Sequence, residues 1–144
     1  MAATAFQIYN KAKKKLAAGT IKLGTDILKM GLFLSTSNAS TFTLSTYASV
    51  SNELPTAHGY TAGGKTIPSV TWTVGASAKQ YALKGNAVNW TASGGNISAW
   101  KFAVVKNSAG QAICWSRLST AGTSTSTGNI LSVTPNASGI FTLV

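Results

Sequence analysis

Acidic residues are almost absent from this sequence: Asp26 and Glu53 are the only two, against eleven lysines and one arginine. Histidine and cysteine occur once each, as His58 and Cys114. Most enzyme mechanisms use paired acids, an acid with a histidine, or a cluster of metal ligands. Almost no such pair can be assembled here. The composition therefore argues against an enzyme and against a cofactor, and it favours a protein that works by presenting a surface.

Disulfides and long apolar runs are missing as well. A single cysteine cannot form an internal bridge, and Cys114, between Ile113 and Trp115, is interpreted as a small buried hydrophobe. No apolar run approaches the ~20 residues that a membrane-spanning helix needs. The N-terminal lysines are not followed by an apolar segment of signal-peptide length, which favours an intracellular origin or assembly inside a cell. With 144 residues and a hydrophobic fraction of 44%, one folded domain is expected.

The net charge of +10 raises the question of nucleic-acid binding, since lysines that neutralise phosphates release counterions. The charge comes from missing acids rather than from dense basic residues, because charged residues make up only 10% of the chain. Arginine, the better planar partner for phosphates and bases, occurs once. We therefore expect docking on an acidic protein surface rather than specific nucleic-acid binding.

The N-terminal segment contains the one convincing helix candidate, Thr4 to Ala18. Thr4 is the predicted cap and Gly19 the predicted stop. An apolar stripe includes Phe6, Tyr9 and Leu16. The opposite face carries four lysines: Lys11, Lys13, Lys14 and Lys15. Residues 1–20 are interpreted as a basic helix or arm and 21–144 as a single β-rich domain. The lysines are either a solvated face packed on the domain edge or a surface that contacts a partner.

Short strands are predicted over the rest of the chain, bounded by Gly, Asn or Ser at the spacing typical of sandwiches and barrels. Ser35–Ser40 is expected to be a loop, Tyr47–Leu54 a short helical turn, and the Ser/Thr-rich stretch Ser119–Thr127 is assigned no strand. Each tryptophan falls on a predicted strand and is expected to be core or half-core. The predicted strands are Ile27–Leu34, Thr66–Val74, Gln80–Leu83, Ala87–Thr91, Ile97–Lys106, Ala112–Leu118, Asn129–Val133 and Ile140–Val144.

A phosphate-binding motif is matched formally by Gly59–Thr66, which reads G-x-x-x-x-G-K-T. Such a loop works only between a strand and a helix. Pro68 and the β-branched residues around it argue against a following helix, and no acidic residue follows Glu53 to hold magnesium. The match is interpreted as accidental, with the glycines permitting a tight loop. His58 is interpreted as a loop histidine, and the four N-x-[ST] matches have little support as glycosylation sites.

Two blocks of the sequence resemble small virion proteins of tailed bacteriophages. The first runs from Asp26–Phe33 through Tyr47 and Glu53 to the block Gly-Tyr-Thr-Ala-Gly-Gly at 59–64. The second is Trp90–Ala99 followed by Phe102–Val105. The likeness runs from about residue 6 to residue 118, and its most specific part is the 59–64 block with Glu53 upstream. It implies a β-rich structural protein of the virion with no catalytic residues.

The sequence thus predicts an all-β fold, an antiparallel β-sandwich or barrel-like domain with a short N-terminal α-helix. The resemblance implies a head decoration or cement protein on the capsid surface, assembled in the host cytoplasm. Its partners would be the major capsid protein and further copies of itself, with no membrane and no specific nucleic acid. The alternatives are a tail or fibre component and a basic module for single-stranded nucleic acid. The candidate contact residues are Phe6, Tyr9, Lys11, Lys13, Lys14, Lys15, Gly59, Tyr60, Gly63 and Gly64.

Overall fold

Antiparallel strands account for most of the ordered backbone in a computed structural model that describes residues 2–144, and one short helix lies near the N-terminus. The all-β prediction is confirmed. In chain order the elements are β1 (Gln7–Ile8), α1 (Asn10–Ala17), β2 (Leu28–Leu34), a 3₁₀ turn (Tyr47–Ser49), β3 (Lys65–Thr66), β4 (Thr71–Val74), β5 (Tyr81–Lys84), β6 (Val88–Thr91), β7 (Ile97–Asn107), β8 (Ala112–Arg117), β9 (Thr123–Thr125), β10 (Ile130–Val133) and β11 (Phe141–Leu143).

The largest sheet has the strand order β1-β8-β7-β2-β3, with β9 paired to the N-terminal part of β7. β7 lies at its centre because Phe102–Val105 is apolar on both faces, and all four side chains are buried. Side chains in a strand alternate between the two faces. On one face Ile8, Cys114, Val105 and Met30 form a continuous row across four strands. Cys114 is fully buried in this row, which confirms its interpretation as a small hydrophobe.

Two smaller sheets complete the fold, one with the order β11-β5-β4 and one made of β6 and β10. Buried side chains from all three sheets belong to a single hydrophobic cluster. Leu83 and Phe141 enter it from the three-stranded sheet, and Val88 and Leu131 from the two-stranded sheet. The antiparallel sheets therefore share one core in a sandwich-like arrangement, as the sequence predicted.

The long segment between β2 and β3 packs on the main sheet. Tyr47 lies edge-to-face on Phe33 of β2, and Phe42 lies edge-to-face on Trp115 of β8. Near its end the backbone pairs with the outer edge of β2: the Leu34 N–H donates to Asn52, and the Leu54 N–H donates to Leu32. This segment carries Tyr47, Glu53 and the 59–64 block, which are among the sequence features on which the phage resemblance depends.

The N-terminal segment is part of the domain rather than an arm, which corrects the predicted division at residue 20. β1 pairs with β8, the Ala3 N–H donates to Thr134, and the Phe6 N–H donates to Ile140. Phe6 and Ile8 point inward while Gln7 is exposed, so their spacing is that of a strand. The predicted helix start at Thr4 is therefore wrong. Removing this segment would take core residues with it, so a truncation cannot test the lysines.

The helix begins at Asn10, and its end matches the sequence prediction. The Gly19 N–H donates to Leu16 and the Thr20 N–H donates to Lys15, the paired bonds of a Schellman motif. Gly19 adopts φ +76°, a left-handed conformation that glycine reaches without the Cβ penalty. This end directs the chain from α1 toward Ile21 and Leu23, which are buried.

Candidate functional site

Glu53 lies at the centre of a hydrogen-bonded cluster. Its Oε1 accepts three bonds, from the Tyr47 hydroxyl at 2.6 Å, the Tyr60 hydroxyl at 2.7 Å and the Gly63 N–H at 2.6 Å. We call Gly31, Tyr47, Glu53, Tyr60 and Gly63 the Glu53 cluster. Bonds to an ionised acceptor are about twice as strong as bonds between neutral groups. One carboxylate therefore joins the 3₁₀ turn to the glycine-rich 59–64 loop.

Tyr60 also substitutes for a missing strand partner. Its hydroxyl oxygen accepts the Leu32 N–H at 2.9 Å on the outer edge of β2. Along that edge the backbone of residues 52–54 pairs with 32–34, while β3 pairs with Lys29 and Met30. The Leu32 carbonyl is paired with Leu54, but the Leu32 N–H points into the gap between the two pairings. A buried N–H left unpaired there would be costly. The phenol thus completes the hydrogen bonding of a sheet edge while it holds Glu53.

Two glycines make room for the cluster. A Cβ at Gly31 would lie 1.7 Å from the Tyr47 hydroxyl oxygen, so the phenol occupies the space that any other residue would fill. A Cβ at Gly64 would lie 2.4 Å from the Met30 carbonyl oxygen, and Gly64 has φ +80°. Both positions need glycine because another group approaches the backbone closely.

The electrostatics keep the phenols neutral. Burial, followed by the neighbouring Tyr60 and Glu53, raises the pKa of Tyr47 well above its usual range. Burial and the hydrogen bond to Glu53 likewise raise the pKa of Tyr60. The Lys106 ammonium lies 4.1 Å from the centroid of the Tyr47 ring, where it makes a cation–π contact. The cluster is a closed structural unit in which each phenol is a neutral donor.

The apparent phosphate-binding motif does not form a phosphate loop. Lys65 lies in β3, and its ammonium donates to the Asn89 carbonyl at 2.7 Å. After Thr66 the chain turns at Pro68 and enters β4 rather than a helix. A Cβ at Gly59 would lie 1.9 Å from the Thr91 carbonyl oxygen, so the glycine allows the loop to pack on β6. Tight packing against the rest of the chain accounts for these glycines.

His58 lies in an exposed loop, as interpreted from the sequence, and a Cβ on Gly95 would lie 2.3 Å from its imidazole ring. Within residues 2–144 no group of three His, Cys, Asp or Glu side chains could hold a metal ion. The same part of the chain has no helix that is both long and apolar enough to span a membrane.

The predicted contact residues divide by burial. Phe6, Tyr9 and Tyr60 are core residues with buried side chains. The Tyr9 hydroxyl donates a hydrogen bond to the Ala39 carbonyl at 2.6 Å. The lysines of α1 form the exposed part, which we call the lysine face: Lys11, Lys13, Lys14 and Lys15. Lys15 is half-buried and donates to the Ser45 hydroxyl at 2.9 Å, whereas the other three are exposed. Gly59 is exposed, and Gly63 and Gly64 are half-buried.

An apolar groove of about 460 Å³ adjoins the lysine face. Leu16 of α1 and the following Ile21 and Leu23 line one side, and Trp72 of β4 and Leu143 of β11 line the other.

Lys13 and Lys22 also line this groove, and both are exposed. Sequence reasoning missed it because its walls come from three distant parts of the chain: residues 13–24, Trp72 near the middle, and Leu143 at the C-terminal strand. The only available signal was the apolar pair Ile21 and Leu23 directly after the lysines.

Both carboxylates are hydrogen-bonded within the fold. Glu53 is held by two phenols and one backbone N–H, all on Oε1. Asp26 accepts the Lys22 backbone N–H at 3.0 Å and the Asn107 amide at 3.3 Å through Oδ2. With two acidic side chains against twelve basic ones, most of the positive charge has no side-chain carboxylate to pair with.

Comparisons with protein-family models, with curated proteins and with solved structures give no match to this chain. Functional interpretation therefore depends on three features of the molecule: the Glu53 cluster, the lysine face and the apolar groove.

Proposed function

We propose that this chain is a structural protein of a tailed-phage virion, and specifically a decoration or cement protein of the head. The observation that supports the proposal is the composition of the Glu53 cluster. Tyr47, Glu53 and the 59–64 block are separated in sequence and belong to the first of the two blocks that carry the resemblance, yet they meet at one carboxylate. Gly31, from the same block, leaves the space that the Tyr47 hydroxyl occupies. Because these separated residues serve one hydrogen-bonded cluster, their joint occurrence in the sequence supports the resemblance better than unconnected matches would.

The charge distribution is consistent with that role. The net charge is +10, and both carboxylates are used inside the fold. A surface of this kind is complementary to an acidic shell, and complementarity directs encounter and orientation. A protein that binds assembled capsomers and not separate ones stabilises the shell by mass action. Cementing in this way requires a rigid domain and no catalysis.

The test is co-sedimentation with particles from the phage that encodes the chain, prepared with its gene inactivated. Purified protein is mixed separately with heads, with tails and with single-stranded DNA, and bound protein is measured after pelleting. Saturable binding to heads, together with greater resistance of the filled heads to heat, is the expected result.

The other outcomes would redirect the proposal. Binding to tails alone would retain the virion assignment and replace the head by the tail or fibre. Binding to DNA that falls steeply with added salt, with none to particles, would refute the virion assignment and favour the nucleic-acid module.

A further inference from the structure

We infer that the apolar groove beside α1 is a docking site for a protein segment in which a large apolar side chain is flanked by carboxylates. The inference deepens the proposed function, and it rests on that function only for where such a segment would lie, on the acidic head surface.

The groove offers an apolar surface that the chain does not cover. Ile21 and Leu23 are buried, while Leu16, Trp72 and Leu143 are only partly buried. The surface continues along the three-stranded sheet, where Leu143, Tyr81 and Val74 are cross-strand neighbours on the same face as Trp72.

Tyr81 is 49% exposed and Val74 is 50% exposed, so this row of side chains reaches solvent. A contiguous apolar surface with a polar border is the usual signature of an interaction site. An apolar side chain from a partner would bury its own surface and that of Trp72 and Leu143.

The border of the groove is positive. Lys13 and Lys22 line it, and on the next side of α1 Lys11, Lys14 and Lys15 line a second depression. Lys11 lies three residues before Lys14 and four before Lys15, spacings at which like charges repel along a helix. The first turn of α1 contains no acidic residue. Carboxylates placed beside Lys13 and Lys22 would gain charge-assisted hydrogen bonds, and those that reach the second depression would also relieve the repulsion there.

A second copy of the chain does not supply the complement. It carries only two acidic side chains, Asp26 and Glu53, against twelve basic ones, and each acid is hydrogen-bonded within its own fold. Two copies with a net charge of +10 each repel one another, so the acidic groups are assigned to a different molecule.

A nucleic acid fits the lysines but not the groove. Single strands bind by stacking bases on free aromatic faces. Trp72 instead packs on Tyr81 at 5.5 Å and on Phe141 at 6.1 Å between ring centroids, and the rest of the apolar lining is aliphatic. A phosphate backbone would leave that lining uncovered. An acidic protein segment with an apolar anchor satisfies both parts of the surface.

The test uses the full chain and a fluorescein-labelled synthetic peptide in which leucine and phenylalanine are flanked by Asp and Glu. Fluorescence anisotropy measures binding. One matched peptide replaces the acids by Asn and Gln, and another replaces the apolar residues by Ser. We expect saturable binding of the first peptide, with at least a tenfold weaker affinity for each of the others.

Variants locate the site. The pair Lys13→Gln and Lys22→Gln should weaken binding about fivefold to tenfold, as expected for two partly screened ion pairs. Leu143→Ser should weaken it by a similar factor through lost apolar burial. The matched control is Lys84→Gln with Arg117→Gln, which removes the same charge from two exposed positions outside the groove. Unchanged unfolding midpoints show that each variant is folded.

Three results would overturn the inference, two from peptide and DNA binding and one from head binding. An equal loss in the Lys84 and Arg117 control would mean that net charge alone drives binding. Binding of an oligothymidylate that is lost in the groove variants, with no binding of the peptide, would assign the groove to nucleic acid.

Head binding separates this inference from the proposed function. Groove variants that still fill heads like the unmodified protein refute the groove alone, and groove-dependent peptide binding without head binding refutes the head assignment alone.

Discussion

At the scale of single residues, Glu53 shows how a scarce residue type can organise a fold, because one carboxylate oxygen accepts three hydrogen bonds. A lone carboxylate in a positive chain would ordinarily be expected to pair with lysine. Here Tyr47, Tyr60 and the Gly63 N–H occupy one of its oxygens. The Tyr60 hydroxyl has a second task, because it also accepts the Leu32 N–H. The two phenols therefore differ in what their removal leaves unpaired.

The first prediction orders three tyrosine substitutions by stability. Tyr47→Phe removes one bond to an ionised acceptor, which costs about 1.5–3 kcal/mol of unfolding free energy. Tyr60→Phe removes a similar bond and leaves the Leu32 N–H unpaired, which adds about 1–3 kcal/mol. Tyr81→Phe, at an exposed ring, should have an effect below ~0.5 kcal/mol. Urea unfolding of the three variants measures the order, and equal costs for Tyr47 and Tyr60 would contradict the edge-completing role.

The second prediction concerns the contact between Gly31 and Tyr47. Gly31→Ala places a methyl group where the Tyr47 hydroxyl lies, so the phenol must leave Glu53. The substitution should cost ~2–4 kcal/mol, combining overpacking with the lost bond. Once the hydroxyl has been displaced, Tyr47→Phe should cost little more.

A double-mutant cycle checks this coupling. We expect the cost of Gly31→Ala with Tyr47→Phe to fall short of the sum by at least ~1 kcal/mol. Additive costs would mean that the methyl group is accommodated without moving the phenol. Gly110→Ala is not a suitable comparison, because Gly110 has a positive φ of its own.

Sequence reasoning reached part of this cluster. It marked the 59–64 block and Glu53 as the most specific features, and it assigned the glycines to a tight loop. It did not place Tyr47 over Gly31 or Tyr60 at the edge of β2. Those contacts join residues 16 and 28 positions apart through a loop of irregular backbone, and no periodicity reports such a path.

At the scale of elements, the strands were the most predictable part. Short apolar-rich runs between turn residues became β2, β5, β6, β7, β8, β10 and β11, with each end shifted by at most one residue. The failures have physical causes. β9 is a polar Thr-Ser-Thr strand without an apolar face, and β1 is only two residues long. The predicted strand 66–74 is interrupted where Pro68 precedes Ser69, which has φ +53°.

The third prediction tests the end of α1 with a matched pair of glycines. Gly19 holds φ +76° in the Schellman motif, so Gly19→Ala should cost about 1 kcal/mol. Gly24 has no positive φ and has open space around its Cα, so Gly24→Ala should be neutral or stabilise by ~0.4–1 kcal/mol. Thermal unfolding measures both. A neutral Gly19→Ala would show that the helix end does not depend on that turn.

At the scale of the whole molecule, the sequence predicted the fold class better than the surface. Composition gave the excess of positive charge, and the lysine periodicity gave the lysine face. The apolar groove was not foreseen because Leu16, Trp72 and Leu143, which line it together, are far apart in sequence. The pairing of β1 with β8 and the backbone bonds of Ala3 and Phe6 make the N-terminal residues part of the domain, so the lysines can be tested only by substitution in the intact chain.

The fourth prediction follows from the three buried tyrosines taken together. Burial raises the pKa values of Tyr9, Tyr47 and Tyr60 above the value of 10.0 for the unfolded chain. The folded state therefore keeps protons that the unfolded state releases above pH 10. The stability that depends on the neutral phenols is fully present below pH 10 and declines as the pH rises beyond it, by about 1.4 kcal/mol per pH unit for each tyrosine.

Urea unfolding at several pH values between neutrality and pH 11.5 checks this slope. In Tyr60→Phe the decline above pH 10 should be smaller by one tyrosine's share, about 1.4 kcal/mol per pH unit, even though the variant starts from a lower stability. Val133→Ala, at a fully buried aliphatic position, lowers stability without removing a phenol, so its slope should equal that of the unmodified chain. If Val133→Ala flattened the slope as much as Tyr60→Phe does, the decline would report general destabilisation. A smaller slope in Tyr60→Phe alone would mean that the neutral Tyr60 phenol contributes its share to the alkaline limit of the fold.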